Sequence, residues 1–323
     1  MDWSRINRRR TASQQPRGVY ADLEDLVRIR FRARDFSFQP RQPVTSVLSG
    51  RYGSRLRGRG LDFEELRRYQ QGDDIRTMDW RVTARTRSPH VRVFSEEKDR
   101  AVLLVVDQRI NMFFGTRQRL KSVTAAELGA LGAWRALDSG DRIGAVLFND
   151  ERLMELRPER SEKHVMNILH GLLDMNHALR ADSEIPPAPD MLNHALEKAL
   201  RLAPHDVLVV IVSDFFGADA HTERLVTRIA AHNDVLGVLV HDPMRVAPAA
   251  EVLRVGDGTH QAEIDLRDAR LRDRLVSDYR DEQHRIAHFL RRLSAPLLMI
   301  SNEGDTVEQV RRLLGVAPGR THG

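Results

Sequence analysis

An α/β fold, a doubly wound and mostly parallel sheet with helices on both faces, is what this sequence predicts, and three observations predict it. The first is a set of short, continuous apolar runs at residues 101–106, 207–212 and 235–240. They lack the in-out alternation of a half-exposed strand, so each reads as a strand covered on both faces. The second is the helix-length amphipathic stretches between them, a strand–helix alternation that makes parallel crossovers. The third is size: 323 residues, 41% hydrophobic and 30% charged, suffice to bury a sizeable core.

Taken in order, residues 1–18 mix Arg, Ser, Gln and Pro without apolar periodicity and read as a tail. Residues 22–36 form a helix on the spacing of Leu23, Leu26, Val27 and Ile29, and residues 37–59, rich in Gly, Pro, Ser and Arg, an extended loop. A charge-dense segment at 60–94 follows, ending in a strand at 91–94. Strands are expected at 101–106, 142–148, 207–213, 235–240 and 297–300, with 151–156 pairing beside 142–148. Helices are expected at 120–137, 162–175, 191–202, 220–232, 267–293 and 306–314. The resulting organisation is a tail at 1–20, a β-rich N-terminal extension at 21–100, the sheet domain at 101–316 and a tail at 317–323.

Composition narrows the function classes. No cysteine is present, which removes disulfides and thiolate chemistry. The apolar runs are too short to span a bilayer, and the basic N-terminus has no apolar signal core, so the expectation is a soluble, cytoplasmic chain. Net charge is +5, but residues 1–100 hold 23 Arg or Lys against 14 Asp or Glu. That bias admits nucleic-acid binding through the Arg-rich N-terminal third, although acidic residues interrupt the basic face throughout.

Sheets of this kind bind ligands beyond the carboxyl ends of their strands. Asp107, Arg109, Asn111, Asp190, Ser213 and Asp214 all fall at that edge. Asp107, Asn111, Asp190 and Asp214 converge from three loops with the oxygen chemistry that Mg²⁺ requires. Arg109 opposes this, because a guanidinium is always protonated and has no lone pair to donate. Three readings stay open: Arg109 folds inward and pairs with Asp107, Asp190 or Asp214; Arg109 points away while the other four hold Mg²⁺; or these residues cap helices and end strands. No GxxxxGK[ST], HExxH or GxSxG pattern occurs, so nucleotide, zinc-protease and serine-hydrolase chemistry find no support. His284 and His288 lie four apart on one helix face, a spacing that surface polarity explains more simply than a metal.

The charge-dense segment carries a longer pattern, G-R-G-x-x-F-x-E-L-R-x-Y-x-x-G-D-D-x-R-x-x-D-W-R-x-T-A-R, from Gly58 to Arg85. Gly72 permits a turn before Asp73 and Asp74. Together with Arg76, Asp79, Arg81 and Arg85 these are too dense to be buried unpaired, which leaves two readings: a preformed recognition face for a partner, or an interlocked Arg–carboxylate network with Trp80 as apolar anchor, the second implying large destabilisation by Asp79→Ala or Trp80→Ala. The pattern resembles the signature of the bacterial family called domain of unknown function fifty-eight, over nearly the whole chain. That resemblance implies a fold similar to von Willebrand factor A-type domains and, as a partner, a MoxR-type AAA+ ATPase. In A-type domains the metal-ion-dependent adhesion site begins Asp-x-Ser-x-Ser. Here Arg109 and Asn111 stand where the serines belong, Asp190 where a Thr belongs, and Asp214 at the third-loop Asp, so the resemblance implies a degenerate site. The reading that follows is a non-enzymatic protein-interaction module, an adaptor or co-chaperone for such an ATPase acting on a client complex. Its rivals are a metal-dependent hydrolase at Asp107, Asp190 and Asp214, and the nucleic-acid binder.

Overall fold

Apolar runs and their caps set the elements, which a computed structural model describes for residues 18–33, 61–70, 73–96, 101–245, 248, 252–256 and 261–314. The first 17 residues of the expected N-terminal tail, the C-terminal tail, the 37–59 loop and Gly72 lie outside the described residues. Along the chain come α1 (Leu23–Ala33), β1 (Leu61–Arg68), α2 (Trp80–Thr86), β2 (His90–Glu96), β3 (Ala101–Asp107) and α3 (Lys121–Asp138). Next are β4 (Arg142–Phe148), β5 (Leu153–Glu159), α4 (Glu162–Ala178), α5 (Met191–Leu202), β6 (Val207–Ser213) and α6 (Ala220–Ala230). The remainder is β7 (Asp234–His241), β8 (Val252–Gly256), β9 (Gln261–Asp265), α7 (Ala269–Arg292), β10 (Leu297–Ser301) and α8 (Thr306–Leu313). Internal contacts divide the chain into two units, Met1–Leu48 with Arg100–Gly323, and Ser49–Asp99.

The larger unit holds a six-stranded sheet in the order β10-β7-β6-β3-β4-β5. Every neighbouring pair is parallel except β5, which runs antiparallel to β4 at the edge, as its position two residues after a tight turn requires. β3 alternates faces residue by residue. Val102, Leu104 and Val106 enter one core with α1, α3, α4 and α8, while Leu103 and Val105 enter the other with α5, α6 and α7. Both faces are apolar, which is why the strands read as unbroken hydrophobic runs. The hairpin of β8 and β9, paired from Val252↔Asp265 to Gly256↔Gln261, was not expected from the sequence. These strands are short and carry Arg, Glu and Asp instead of an apolar run.

The expected extension at 21–100 begins too early, because α1 belongs to the larger unit and not with the signature. Leu26, Ile29 and Ala33 are buried in the first core. Ala21 N donates to Asn176 Oδ1 at 2.8 Å, the Tyr20 hydroxyl donates to Leu179 O at 3.0 Å, and Trp134 Nε1 donates to Leu26 O at 3.0 Å. An amphipathic helix buries its stripe where a complementary face exists, and α3 supplies one.

In the smaller unit β1 and β2 pair antiparallel, with Leu66 opposite Arg92 and Arg68 opposite His90. The signature's carboxylates serve chiefly as caps. Asp73 takes Arg67 bidentately at 2.8 and 2.7 Å together with Gln70 N at 2.7 Å. Asp74 accepts from Arg76 N at 2.9 Å, and Asp79 accepts from Arg81 N and Val82 N at 3.0 Å each, opening α2. Trp80 is corrected from anchor to surface residue: it is 66% exposed. Once Asp79 turns inward to cap α2, the next side chain is carried outward. Arg76, Arg81 and Arg85 are exposed as well. The expected results therefore separate. Asp79→Ala destabilises the smaller unit by about 1–2 kcal/mol through the lost cap, whereas Trp80→Ala stays within about 0.5 kcal/mol. Denaturant melts with equal, large losses for both variants would contradict this assignment.

Candidate functional site

The sheet order reverses between β3 and β6, since the chain winds outward from β3 through β4 on one side and from β6 through β7 on the other. A crevice forms at the carboxyl ends of strands at such a point. Asp107 is the last residue of β3 and is fully buried. Arg109, also fully buried, folds back onto it: Nε lies 3.0 Å from Oδ1 and Nη2 2.7 Å from Oδ2. The Arg109 amide donates to Oδ1 at 2.9 Å and the Ser213 hydroxyl to Oδ2 at 2.7 Å, so both carboxylate oxygens are fully engaged. The guanidinium reaches further, with Nη1 donating to Pro189 O at 3.0 Å and Nη2 to Phe216 O at 3.1 Å. One side chain therefore ties the loops after β3, before α5 and after β6. Burial works against the charge on Arg109, but the adjacent Asp107 outweighs it and holds the pKa above the usual arginine value.

A second buried pair lies beside the first. Asp214 accepts Lys121 Nζ at 2.5 Å on Oδ2, and Asn111 Nδ2 at 2.7 Å and Phe216 N at 3.0 Å on Oδ1. Burial pushes Asp214 upward, yet the Lys121 charge and these donors together lower it to about 2. Asp150 staples two of the same loops, taking Ile110 N at 2.6 Å and Ala188 N at 2.8 Å. At Gly217, φ is +78° and a Cβ would meet Pro189 Cβ at 2.6 Å, so glycine allows the two rims to approach. Phe215 takes φ 57° without being glycine, a strained backbone held over the site by the Ser213 hydroxyl at 2.8 Å. Phe216 follows it on the surface, 42% exposed.

Of the open readings, the geometry matches inward pairing, with Asp107 and not Asp190 or Asp214 as the partner of Arg109. The suggested metal set does not fit Mg²⁺. Asp107 is saturated by a guanidinium and a hydroxyl, Asp214 by an ammonium, and Asn111 turns its amide nitrogen to Asp214. Asp190 sits exposed before α5 with no side-chain cap bond, so it is not brought into the cluster. Among the described residues, no group of three or more His, Cys, Asp or Glu is arranged to hold a metal. Sequence reading missed Lys121, whose signal was slight: one of four lysines among 51 basic residues, opening the helix that follows the first central strand. Asp242, just after β7, is a fully buried hub taking Thr116 N at 2.9 Å, Met244 N at 2.9 Å and Asn302 Nδ2 at 2.9 Å. His284 and His288 are exposed on α7.

A pH dependence follows. Asp214 has a depressed folded pKa of about 2 against an ordinary 3.8, so its contribution is present above about pH 4 and is lost as pH falls toward 2. The contribution is of order 2 kcal/mol. Acid denaturation should show a slope in that window that Asp214→Asn reduces. An unchanged slope in the variant would contradict the pairing with Lys121.

Residues 65–285 match the family described as "Protein of unknown function DUF58". Uncharacterized proteins of Mycobacterium bovis and Mycobacterium tuberculosis are 29% identical over 309 residues, covering 93% of this chain and 92% of theirs. Two solved structures are similar in part. The conserved hypothetical protein BatB from Bacteroides thetaiotaomicron has a TM-score of 0.41 at 13% identity, over 67% of this chain and 97% of its own. The SpRpn10 VWA domain has a TM-score of 0.35 at 11% identity, over 68% of this chain and 98% of its own.

Proposed function

This chain belongs to the DUF58 family, and from that premise we propose that it is a non-enzymatic protein-interaction module that engages a partner protein at the strand-end crevice. The observation that carries the reading is the saturation of both buried carboxylates by the chain's own cations, Arg109 and Lys121. A hydrolase needs a free base, a nucleophile or an open metal position, and Asp107 and Asp214 offer none of these. What remains is a rigid, charge-neutralised floor with an exposed phenyl ring, Phe216, at its rim. Packed aromatic residues of this kind are frequent anchors of protein interfaces.

The partner in this reading is a MoxR-type AAA+ ATPase in the cytoplasm, with the chain as adaptor in the assembly or activation of a client complex. No helix among the described residues is long and apolar enough to cross a membrane. The test is to immobilise the full chain and pass a MoxR-type ATPase from the same organism over it in the presence of EDTA. Binding should persist under chelation and weaken at least about tenfold with Phe216→Ala. Absence of binding, or its abolition by EDTA, would refute the reading. Asp214-dependent hydrolysis of a phosphoester or peptide substrate would restore the hydrolase.

A further inference from the structure

We propose that the exposed face of α2 is a second docking surface, which takes a short acidic peptide segment with an apolar anchor from a partner protein. The sequence around α2 mixes both signs of charge, but the fold withdraws Asp73 and Asp79 and leaves Asp74 exposed in the turn before the helix. Asp79 is buried as the α2 cap, and Asp73 is occupied by Arg67 and the Gln70 amide. The helix itself, WRVTART, contains no acidic residue. Its outer face therefore presents Trp80, Arg81 and Arg85, continued by Arg87, all exposed.

Three observations indicate that this face is built to be covered. Trp80 is 66% exposed and Ile75, in the turn just before it, 61%. A large indole left in water forfeits one of the biggest apolar gains a side chain can make. Tryptophan and arginine are also the residue types that dominate binding hot spots. Second, the face is rigid. Asp79 N donates to His90 O at 2.9 Å and His90 N to Thr83 Oγ1 at 3.0 Å, so the N-cap and the middle of α2 are both tied to the first residue of β2. A surface ordered beforehand loses less entropy on binding. Third, Arg87 closes the helix at φ 54°, a left-handed position where glycine fits with less strain. Keeping a long cation there adds to the charge of the same end.

Charge complementarity selects an acidic segment, and the aliphatic surface of Ile75 selects a protein over a nucleic acid. A nucleic-acid track would need a longer row of cations and stacking rings. The inference is independent of the crevice, because it uses none of the residues there.

The experiment selects a displayed library of short random peptides on the full-length chain. Enriched peptides should carry Asp or Glu around an apolar residue. Their affinity should fall about tenfold or more with Trp80→Ala and with Arg85→Glu, recover in part with Trp80→Phe, and weaken with salt. Phe216→Ala should leave it unchanged, and because the altered residues are exposed, all variants should melt like the wild type. Enriched peptides without acidic residues, binding indifferent to Trp80 and Arg85, or tighter binding of a fluorescent single-stranded oligonucleotide to the same face would each overturn the proposal.

Discussion

Replacing Arg109 with Ala should lower the unfolding free energy by about 3–5 kcal/mol, the largest loss expected of any charged residue among those described. Both members of the Arg109–Asp107 pair are fully buried, and the pair is held by side-chain contacts at 2.7, 3.0 and 3.2 Å. Removing the guanidinium strands the Asp107 carboxylate among apolar strands with only the Ser213 hydroxyl and its own loop's amide as donors. It also releases two carbonyls, those of Pro189 and Phe216, from the group that links their loops. The double change Asp107→Ala with Arg109→Ala should be less harmful than the sum of the single changes, because no buried charge is left unpaired. Equilibrium denaturation of the three variants measures this. A loss below about 1 kcal/mol for Arg109→Ala would mean that the pair is solvated in solution.

Trp134→Ala should cost about 3–5 kcal/mol, and its damage should concentrate on α1. The indole is 1% exposed in α3, its nitrogen donates to Leu26 O at 3.0 Å, and the Arg30 guanidinium lies 4.8 Å from its ring. Truncation leaves a large cavity between α1 and α3 and removes the side-chain donor that ties Leu26 O to α3. Trp134→Phe should fall well short of that loss, retaining most of the packing and losing the hydrogen bond. Hydrogen exchange gives the local readout: amides of residues 23–33 should lose protection in Trp134→Ala ahead of those in β3. Uniform loss across both elements would show that α1 is not separately dependent on this contact.

These two residues also show how much was legible in the sequence. The sheet was readable because strands covered on both faces leave unbroken apolar runs, as in Ala101–Asp107 and Val207–Ser213, and β5 was placed beside β4 from proximity alone. Docking of α1 on α3 was not readable, since an apolar stripe such as Leu26 and Ile29 does not say which face it meets. The crevice residues Asp107, Arg109, Asn111, Ser213 and Asp214 were found because strand ends are fixed by topology. Which cation meets which carboxylate depends on side-chain reach, so Lys121 escaped notice and Asp190, next in line to Pro189, was included although its carboxylate points elsewhere to solvent. The signature was misread at Trp80 for a related reason. Charge density alone does not separate carboxylates that cap helices from carboxylates that pair with arginines, and Asp74 caps through the Arg76 amide.

The central claim is that Arg109 and Lys121 supply internally the positive charge for which a strand-end site of this type would otherwise need a metal ion. Calorimetric titration of the purified full-length chain with Mg²⁺ and Mn²⁺ tests it most directly, with Asp107→Asn as the control. The account predicts no Asp107-dependent binding heat for the wild-type chain, and a measurable gain in metal affinity when Arg109 and Asn111 are both changed to Ser. Micromolar binding by the unaltered chain that disappears in Asp107→Asn would contradict it.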